Sequence, residues 1–369
     1  MVTIFLGGDV MTGRGIDQIL PGPNSPELHE SFVRDAGVYV ELAEVASGPI
    51  PRPVDPAYIW GDALAALEPA APAARIVNLE TSVTAAAAPW PGKGVTYRMH
   101  PANVGCLTAA GLGVCALANN HVLDYGYAGL EDTLATLARA GIRSAGAGRT
   151  LAEARRPAAV ELGGGRRLLV FSVATASSGV PSAWAATADR PGVDFLSDVH
   201  DAAADAVAAR VQAEKRPGDL VVLSIHWGGN WGYQVPESHA RFARRVIEGG
   251  VDVIHGHSSH HPRPIEVYRD RLVLYGCGDL IDDYEGIAGY EEFRADLVLL
   301  YLATLAGDGT LRALRLVPMR IRRMRLQRAS ADEAEWLRDR LERVSARFGS
   351  RLEGASGGEL VVRWAGNRS

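Results

Sequence analysis

The sequence predicts an α/β protein, in which the strands of a sheet alternate with helices that cover its faces. Short apolar runs of strand length recur along the chain and are followed by polar residues, and amphipathic segments of helical length lie between them. Because the carboxyl ends of parallel strands share one edge of a sheet, we expect one site at that edge. The predicted strands are Thr3–Leu6, Ile76–Leu79, Val114–Leu117, Leu220–Ile225, Val251–Ile254 and Leu272–Tyr275.

Helical periodicity fills the intervals between these strands. Ser197 is expected to cap the third helix, and Gly141 and Gly249 follow the ends of the second and fourth. The Pro- and Gly-rich stretches 19–58 and 177–195 are predicted to be long loops, which often cover binding sites. The predicted helices are Ala63–Leu67, Leu130–Ala140, Ser197–Ala213 and Pro236–Glu248.

The last hundred residues carry a different pattern. Two strand pairs around short turns predict hairpins, and residues 331–347 have the apolar spacing of one amphipathic helix. We expect residues 1–330 to form the main domain and residues 331–369 to pack on it as a helix and a strand. The predicted hairpin and terminal strands are Pro264–Tyr268 with Leu272–Tyr275, Leu297–Leu305 with Thr310–Leu316, and Leu360–Trp364.

Composition excludes several classes of protein. The 369 residues are 47% hydrophobic with a formal charge of −5, which suits a folded core and lacks the basic excess of nucleic-acid-binding proteins. The chain shows no apolar run of membrane-spanning length and no secretory leader pattern. Cys106, Cys115 and Cys277 are too few, and too apolar in context, for a disulfide framework or a zinc site. We expect a cytoplasmic protein without nucleic-acid or membrane partners.

Residues suited to metal binding and proton transfer follow the predicted strands. Asp9 comes after the first strand, and Asn120 and His121 come after the third, with Asp124 three residues beyond the histidine. A carboxylate at that distance can orient the imidazole of His121. The oxygens of Asp9 and Asn120 are ligands that a hard cation accepts.

Half of the ten histidines fall at the ends of two strands. His226 ends one strand, and four more histidines lie within seven residues after the next strand, an arrangement that is rare in a protein core. The aromatic and glycine-rich segment after His226 is typical of a pocket wall. The four clustered histidines are His255, His257, His260 and His261, and the predicted pocket residues are Arg14, Trp227, Trp231 and Tyr233.

The polar motifs occur in a fixed order along residues 3–285. They are Asp9 with Arg14, Asn78 with Glu80, Asn119-Asn120-His121 with Asp124 and Gly126, His226-Trp227-Gly228, and Gly256-His257 with His260. Their order and spacing resemble those of the CapA family of poly-γ-glutamate capsule proteins, within the calcineurin-like metallophosphoesterase superfamily. The resemblance implies an αββα sandwich of mixed sheets with helices on the outer faces and a metal site above two sheets.

The chain departs from the family pattern at three positions. Asn78 and Glu80 stand where a calcineurin-like enzyme carries the Asp that bridges two metals. The usual His-His-Pro-His is replaced by His257-Ser-Ser-His260, and the usual Gly-Asn by Gly278-Asp279. The missing bridge favours one cation over a close pair, and Asp279 is an additional carboxylate.

One divalent metal ion is expected, with calcium, magnesium or manganese favoured over zinc because oxygen donors predominate. Two His/Asp pairs then remain for proton transfer, His121 with Asp124 and His260 with Asp9 or Asp279. The predicted metal ligands are Asp9, Glu80, Asn120, His226 and His257, and the predicted catalytic residues are Asp9, His121, Asp124, His260 and Asp279.

Two proton-transferring pairs suit inversion at a Cα atom, which needs a base on one face and an acid on the other. Capsule proteins of the family tend to carry a membrane anchor, whereas this chain resembles the CapA-like enzymes of lasso-peptide biosynthesis that epimerise a peptide residue. A metal-dependent peptide epimerase is therefore the first prediction.

Three alternatives use the same residues. Hydrolysis of a peptide or of poly-γ-glutamate, or another role in capsule biosynthesis, ranks second, and phosphoester hydrolysis ranks third because the motifs contain only one arginine, Arg14. The last alternative is a capsule or peptide-binding protein whose metal site only stabilises the fold. It would leave His255, His260, His261 and Asp279 without a role. In the enzymatic interpretations the partner is a peptide substrate.

Overall fold

A computed structural model describes residues 1–367. Its strands are, in chain order, β1 Val2–Val10, β2 Ala74–Leu79, β3 Ser82–Val83, β4 Arg98–Met99, β5 Val114–Ala116, β6 Arg143–Ala145, β7 Ala147–Gly148, β8 Ala158–Gly163, β9 Arg166–Thr175, β10 Gly192–Val193, β11 Phe195–Leu196, β12 Leu220–His226, β13 Val253–His257, β14 Ile265–Tyr268, β15 Arg271–Leu274, β16 Asp279–Ile281, β17 Leu297–Leu305, β18 Leu311–Ile321, β19 Leu326–Arg328, β20 Arg351–Gly354 and β21 Leu360–Arg363.

The helices alternate with the strands in the first two thirds of the chain, as the sequence predicts. They are α1 Gly15–Ile19, α2 Gly37–Ser47, α3 Asp62–Leu67, α4 Gly105–Ala109, α5 Gly126–Arg139, α6 Leu151–Arg155, α7 Asp201–Glu214, α8 Glu237–Glu248 and α9 Ala331–Ser345.

Two large sheets organise the fold. The first has the order β20-β21-β18-β17-β1-β2-β5-β6, with β16 beside β1 and β19 beside β18. The second has the order β11-β9-β12-β13-β15-β14, with β8 beside β9. In both sheets the central strands run parallel and hairpin partners run antiparallel, so both sheets are mixed.

The sheets pack face to face, and helices cover their outer faces. Along β1, Ile4 and Leu6 enter the core between the sheets, whereas Phe5 between them points to the helix-covered face. On the second sheet Val222 faces inward, and Val221 packs under α7 and α8. Alternation along each strand thus builds three apolar layers. The predicted αββα sandwich is confirmed.

Several element boundaries differ from the predictions. The predicted loop 19–58 contains α2. The buried residues Tyr39, Val40 and Ala43 lie on one face of this helix, but the helix follows a Pro- and Ser-rich stretch whose composition predicts a loop. Helix α7 begins at Asp201 rather than at Ser197, because the ring of His200 caps it by accepting a hydrogen bond from the Ala203 backbone.

The C-terminal segment completes the first sheet. Helix α9 carries a capping box at Ser330 and Glu333, and its Leu337 and Leu341 enter the core between the sheets. Strands β20 and β21 extend the sheet beyond β18. Residues 368 and 369 of the predicted segment 331–369 lie outside the described residues, and the division at residue 330 stays a prediction.

All three cysteines are buried free thiols. Within residues 1–367, none of the helices has the length and apolar character that crossing a lipid bilayer requires. The cytoplasmic location stays a prediction.

Candidate metal centre and adjoining cavity

The carboxyl ends of strands from both sheets meet at one place. In the first sheet Asp9 of β1 is in register with Asn78 of β2 and with Asp279 of β16. In the second sheet His226 of β12 is in register with His257 of β13. Strand order alone therefore brings together residues that are far apart in the chain, as the sequence predicts for strand ends.

A close approach of two glycines fixes the position of Asp9. A Cβ atom on Gly8 would lie 1.8 Å from the carbonyl oxygen of Gly278, so only glycine fits there. Gly278 itself has φ +78°, a left-handed conformation that glycine adopts without strain. The Asp9 backbone N–H donates to the Gly278 carbonyl at 3.0 Å, which holds Asp9 beside Asp279.

Three buried side chains form the candidate metal centre. One ligand atom from each of Asp9, His226 and His257 lies within 4.8 Å of the other two. The Nδ1 atoms of His226 and His257 are 2.8 Å apart. A divalent cation accepts lone pairs from two imidazoles and a carboxylate, so these three residues form a suitable donor set.

The other two predicted ligands lie against His226 and outside this group of three. Nε2 of His226 is 3.0 Å from Oδ1 of Asn120 and 3.7 Å from Oε1 of Glu80. The side-chain amide of Asn78 donates to Asp9 at 2.8 Å and to Glu80 at 3.0 Å, and so joins the two carboxylates. Asn78 is a structural link between these carboxyl groups, a role that its place in the sequence motif did not predict.

Burial makes charge unfavourable on every member of this group. Burial, and then Asp279, raise the pKa of Asp9 to about 7. Burial and the neighbouring Asp9 raise the pKa of Glu80 well above its usual range. Burial lowers the pKa of both His226 and His257 well below the usual range. A divalent ion would stabilise the ionised forms of these buried carboxyl groups and would accept lone pairs from the neutral imidazoles. The residues therefore fit a metal.

The first predicted His/Asp pair forms. Nδ1 of His121 lies 2.6 Å from Oδ2 of Asp124, and Nε2 lies 3.9 Å from Oε1 of Glu80. Burial lowers the pKa of His121 to about 4, and Lys93 contributes in the same direction against the opposing effect of Asp124. The ring is therefore neutral near pH 7.

Lys93 is a site residue that the sequence analysis missed. Its Nζ donates to Asp124 and to the backbone carbonyl of Asn120, and it lies 3.2 Å from Nδ1 of His121. The residue stands in a Pro- and Gly-rich segment that has the composition of an ordinary turn. The one available signal is that lysine occurs only twice in the chain, against 36 arginines.

The second predicted pair also forms, with Asp279 as the partner. Nδ1 of His260 is 2.9 Å from Oδ1 and 3.1 Å from Oδ2 of Asp279, and Nε2 is 2.9 Å from the side-chain amide of Asn230. Burial opposes protonation, but Asp279 outweighs it and raises the pKa of His260. His260 therefore holds a proton more readily than His121 does.

The remaining two clustered histidines have structural contacts. Nε2 of His255 is 2.8 Å from the carbonyl oxygen of Gly7 and so joins the two sheets, and its Nδ1 is 3.1 Å from Oγ of Ser224. That hydroxyl is also 2.8 Å from Nε2 of His257, which leaves Nδ1 of His257 facing the metal centre. His261 accepts a hydrogen bond from the Gly232 backbone.

A cavity of about 580 Å³ adjoins the candidate metal centre at His260, and Arg14 and Trp231 are among the residues that line it. Their place in a substrate pocket stays a prediction. The prediction for Trp227 is wrong. Trp227 is 1% exposed and stacks on His239 at 4.5 Å, because it points to the opposite side of the second sheet from His226. Tyr233 packs against His261 and lies outside the cavity lining.

Arg14 stands in the cavity wall, and four of its five N–H donors are in hydrogen bonds. Its guanidinium donates to Asp283, to Glu30 at 3.2 Å and to the Tyr39 hydroxyl at 3.0 Å. The ring of Tyr39 lies 3.8 Å from the guanidinium carbon. Arg14 therefore stabilises the wall, and its charge is already paired with Asp283 and Glu30.

The chain is similar to several curated proteins. It is 56% identical over 354 residues to a probable polyglutamine synthesis accessory protein of Mycobacterium tuberculosis, which covers 95% of this chain and 93% of the relative. It is 28% identical over 192 residues to the PGA biosynthesis protein CapA of Bacillus subtilis, covering 52% of this chain and 47% of the relative.

Similarity to solved structures is distant. The crystal structure of a 5'-nucleotidase precursor from Thermus thermophilus aligns with a TM-score of 0.43 at 15% identity, covering 94% of this chain and 58% of that chain.

The prediction of a peptide epimerase is wrong. The 56% identical relative is named for polyglutamine synthesis, and the Bacillus relative is named for capsule polymer biosynthesis. The prediction rested on two His/Asp pairs, which both form, but such pairs serve any reaction that needs a base and an acid.

The family assignment rests on most of the chain. The family model described as bacterial capsule synthesis protein PGA_cap matches residues 3–284, which include all of the motifs around the metal centre. The chain belongs to the bacterial capsule synthesis protein family.

Proposed function

We propose that the protein is a divalent-metal-dependent hydrolase that cleaves amide bonds in a peptide or polyamino-acid chain as part of polymer synthesis. The observation that carries the proposal is that two His/Asp pairs of different proton affinity adjoin the Asp9, His226 and His257 cluster. The names of the relatives support a polyamino-acid substrate.

Asp9, His226 and His257 would hold the cation, with Glu80 and Asn120 beside them. Two imidazoles favour a transition metal over calcium and magnesium, and the neighbouring oxygens favour manganese over zinc. We therefore propose Mn²⁺. When bound, the cation would supply Lewis-acid polarisation of the substrate carbonyl.

His121 acts as the base. Asp124 occupies its Nδ1 at 2.6 Å, so Nε2 is the atom that can take a proton from the attacking water. The ring is neutral at pH 7 because burial lowers the pKa of His121 to about 4. Asp124 keeps the ring in the required orientation, and Lys93 fixes Asp124.

His260 acts as the acid. The water oxygen bonds to the carbonyl carbon, the carbon–nitrogen bond breaks, and Nε2 of His260 gives its proton to the departing nitrogen. For Nε2 to carry this proton, the Asn230 side chain must turn so that its amide oxygen, not its nitrogen, faces the ring. Asp279 stabilises the protonated ring through Nδ1 at 2.9 Å. One proton is taken up and one is released, so the reaction balances with water as the only co-reactant.

A phosphate ester fits the site less well than an amide. Phosphoryl transfer needs cationic groups around the transferred oxygens. Arg14 is the one motif arginine, and Asp283, Glu30 and Tyr39 already accept from its guanidinium.

The test uses the whole protein loaded with Mn²⁺ and two oligomers, five residues of glutamine and five of γ-linked glutamate. We expect new primary amines from at least one of them and one labelled oxygen per cleavage in ¹⁸O-water. His121→Gln and His260→Gln should each lower the rate at least about 100-fold. His29→Ala, an exposed histidine outside the site, is the matched control.

Two outcomes contradict the proposal. Metal-loaded protein that cleaves neither oligomer would indicate a polymer-binding accessory protein, and equal cleavage after chelation would remove the metal from the chemistry. The accessory alternative leaves unexplained why His260 and Asp279 are paired beside the metal centre.

A further inference from the structure

The cavity next to His260 has the size of a ligand pocket. Its volume is about 580 Å³, within the range that binds a small molecule or a few residues of a peptide. One wall is residues 282–296, which follow β16 directly, so the wall is continuous in sequence with Asp279 of the second His/Asp pair. A group bound here lies next to the proposed acid.

Aromatic and aliphatic side chains dominate the lining. Trp231 stacks on Tyr290 with ring centres 4.0 Å apart. Phe32, Ile287 and Tyr290 at the rim are 66%, 50% and 52% exposed, which is unusual for large apolar side chains. They lie on two separate segments of the chain, 24–36 and 282–296, and both segments contribute to the same cavity.

Acidic side chains outnumber basic ones around the cavity. Among residues 1–367, Arg14 is the only Lys or Arg in its lining, and its guanidinium is paired with Asp283 and Glu30. Glu285, Glu291 and Asp296 line the cavity. Asp282 is buried in the wall, where burial and then Asp279 raise its pKa well above the usual range. A polyanion entering this cavity would lose its hydration and would face three carboxylates, against the already paired Arg14 and the ring of His260.

From these contacts we infer that the cavity binds an uncharged, apolar side chain of a peptide and excludes an anionic chain such as poly-γ-glutamate. This inference rests on the proposed function, because the bound side chain would sit one residue from the amide bond that His260 reaches. The site would therefore select the sequence around the bond as well as the bond itself.

The experiment measures binding, not cleavage. Calorimetry with Mn²⁺-loaded whole protein compares acetyl-Ala-Phe-Ala-amide, acetyl-Ala-Gln-Ala-amide, acetyl-Ala-Glu-Ala-amide and a five-residue γ-glutamate oligomer. We expect the Phe peptide to bind at least about tenfold more tightly than either anionic probe. The Gln peptide should fall between them.

Two variants assign that binding to the cavity. Ile287→Asp places a carboxylate in the apolar rim and should weaken the Phe peptide about tenfold or more. Trp231→Ala should do the same by removing the stacked wall, and it serves if Ile287→Asp fails to fold. Val45→Asp is the matched control, since Val45 is 88% exposed and lies outside the lining.

Failure of the inference differs from failure of the proposed function. An anionic probe that binds as tightly as the Phe peptide, or Phe-peptide binding unchanged in both Ile287→Asp and Trp231→Ala, overturns the inference even if amide cleavage is observed. Selective binding of the Phe peptide with no cleavage of any peptide overturns the hydrolase and leaves the cavity assignment in place.

Discussion

Asn78 forms hydrogen bonds with both buried carboxyl groups at the candidate metal centre. Its amide donates to Asp9 at 2.8 Å and to Glu80 at 3.0 Å, which neutral Asn can do and ionised Asp cannot. An ionised aspartate at this position could donate to neither of them. Asn78 is therefore a neutral link between two carboxyl groups at the candidate metal centre.

At the same scale, we predict that His226→Ala abolishes stoichiometric metal binding, because it removes one of three donors. Glu80→Gln should weaken binding only about 10- to 100-fold, since Glu80 lies beside His226 rather than within the group of three. Elemental analysis and a metal titration measure both effects, with His29→Ala as control. Full Mn²⁺ occupancy in His226→Ala would remove this residue from the centre.

A second residue-level prediction concerns His239, which stacks on Trp227. Burial, and then Arg263, lower the pKa of His239 to about 4 in the folded protein. As pH falls below about 6.5 the unfolded chain binds this proton first, so stability present above pH 6.5 is lost between pH 6.5 and 4. Between pH 7.5 and 5 the loss from this group is up to about 2 kcal/mol.

His239→Phe keeps the aromatic stack and removes the titrating group, so it should lose less stability than the wild type over that interval. Urea unfolding at both pH values measures the difference, with His29→Phe as the control. An equal loss in the variant and the wild type would show that His239 does not contribute.

At the scale of elements, the sequence pattern predicted those strands and helices whose formation depends mainly on neighbouring residues. The strands that lead to Asp9, His226 and His257 could be identified because an apolar run and the polar residues after it lie within one short stretch of sequence. The outward orientation of Trp227, which directly follows β12, depends on which face of the second sheet its side chain joins. The formation of α2 depends on the core against which this helix packs. Neither is visible in a short window of sequence.

The segment between β3 and β4 provides an element-level prediction. Lys93 fastens it to the site through Asp124 and the carbonyl of Asn120. Lys93→Met should speed amide hydrogen exchange in residues 86–97, because the segment loses its charged contact with the core. It should also lower amide hydrolysis, because Asp124 then holds His121 less firmly.

The other lysine provides the control for this experiment. Lys215 pairs with Asp252 at 2.8 Å on the second sheet, so Lys215→Met should leave exchange in residues 86–97 unchanged. Unaltered exchange in Lys93→Met would mean that neighbouring backbone hydrogen bonds hold the segment.

At the scale of the whole molecule, the metal centre lies across the seam between two sheets. Asp9 belongs to the first sheet, and His226 and His257 belong to the second. The direct contacts at this seam include the hydrogen bond between His255 and the Gly7 carbonyl at 2.8 Å. A cation bound by all three residues would therefore join the sheets as well as serve chemistry.

We predict that Mn²⁺ stabilises the whole fold as one unit. At a free concentration 100 times the dissociation constant, a ligand that binds only the folded state adds about 2.7 kcal/mol to the free energy of unfolding. Circular dichroism and calorimetry should show a single transition whose midpoint rises with Mn²⁺, because both sheets supply ligands. His257→Ala should abolish the rise. Two transitions, of which only one responds to Mn²⁺, would mean that the ion is held by one sheet alone.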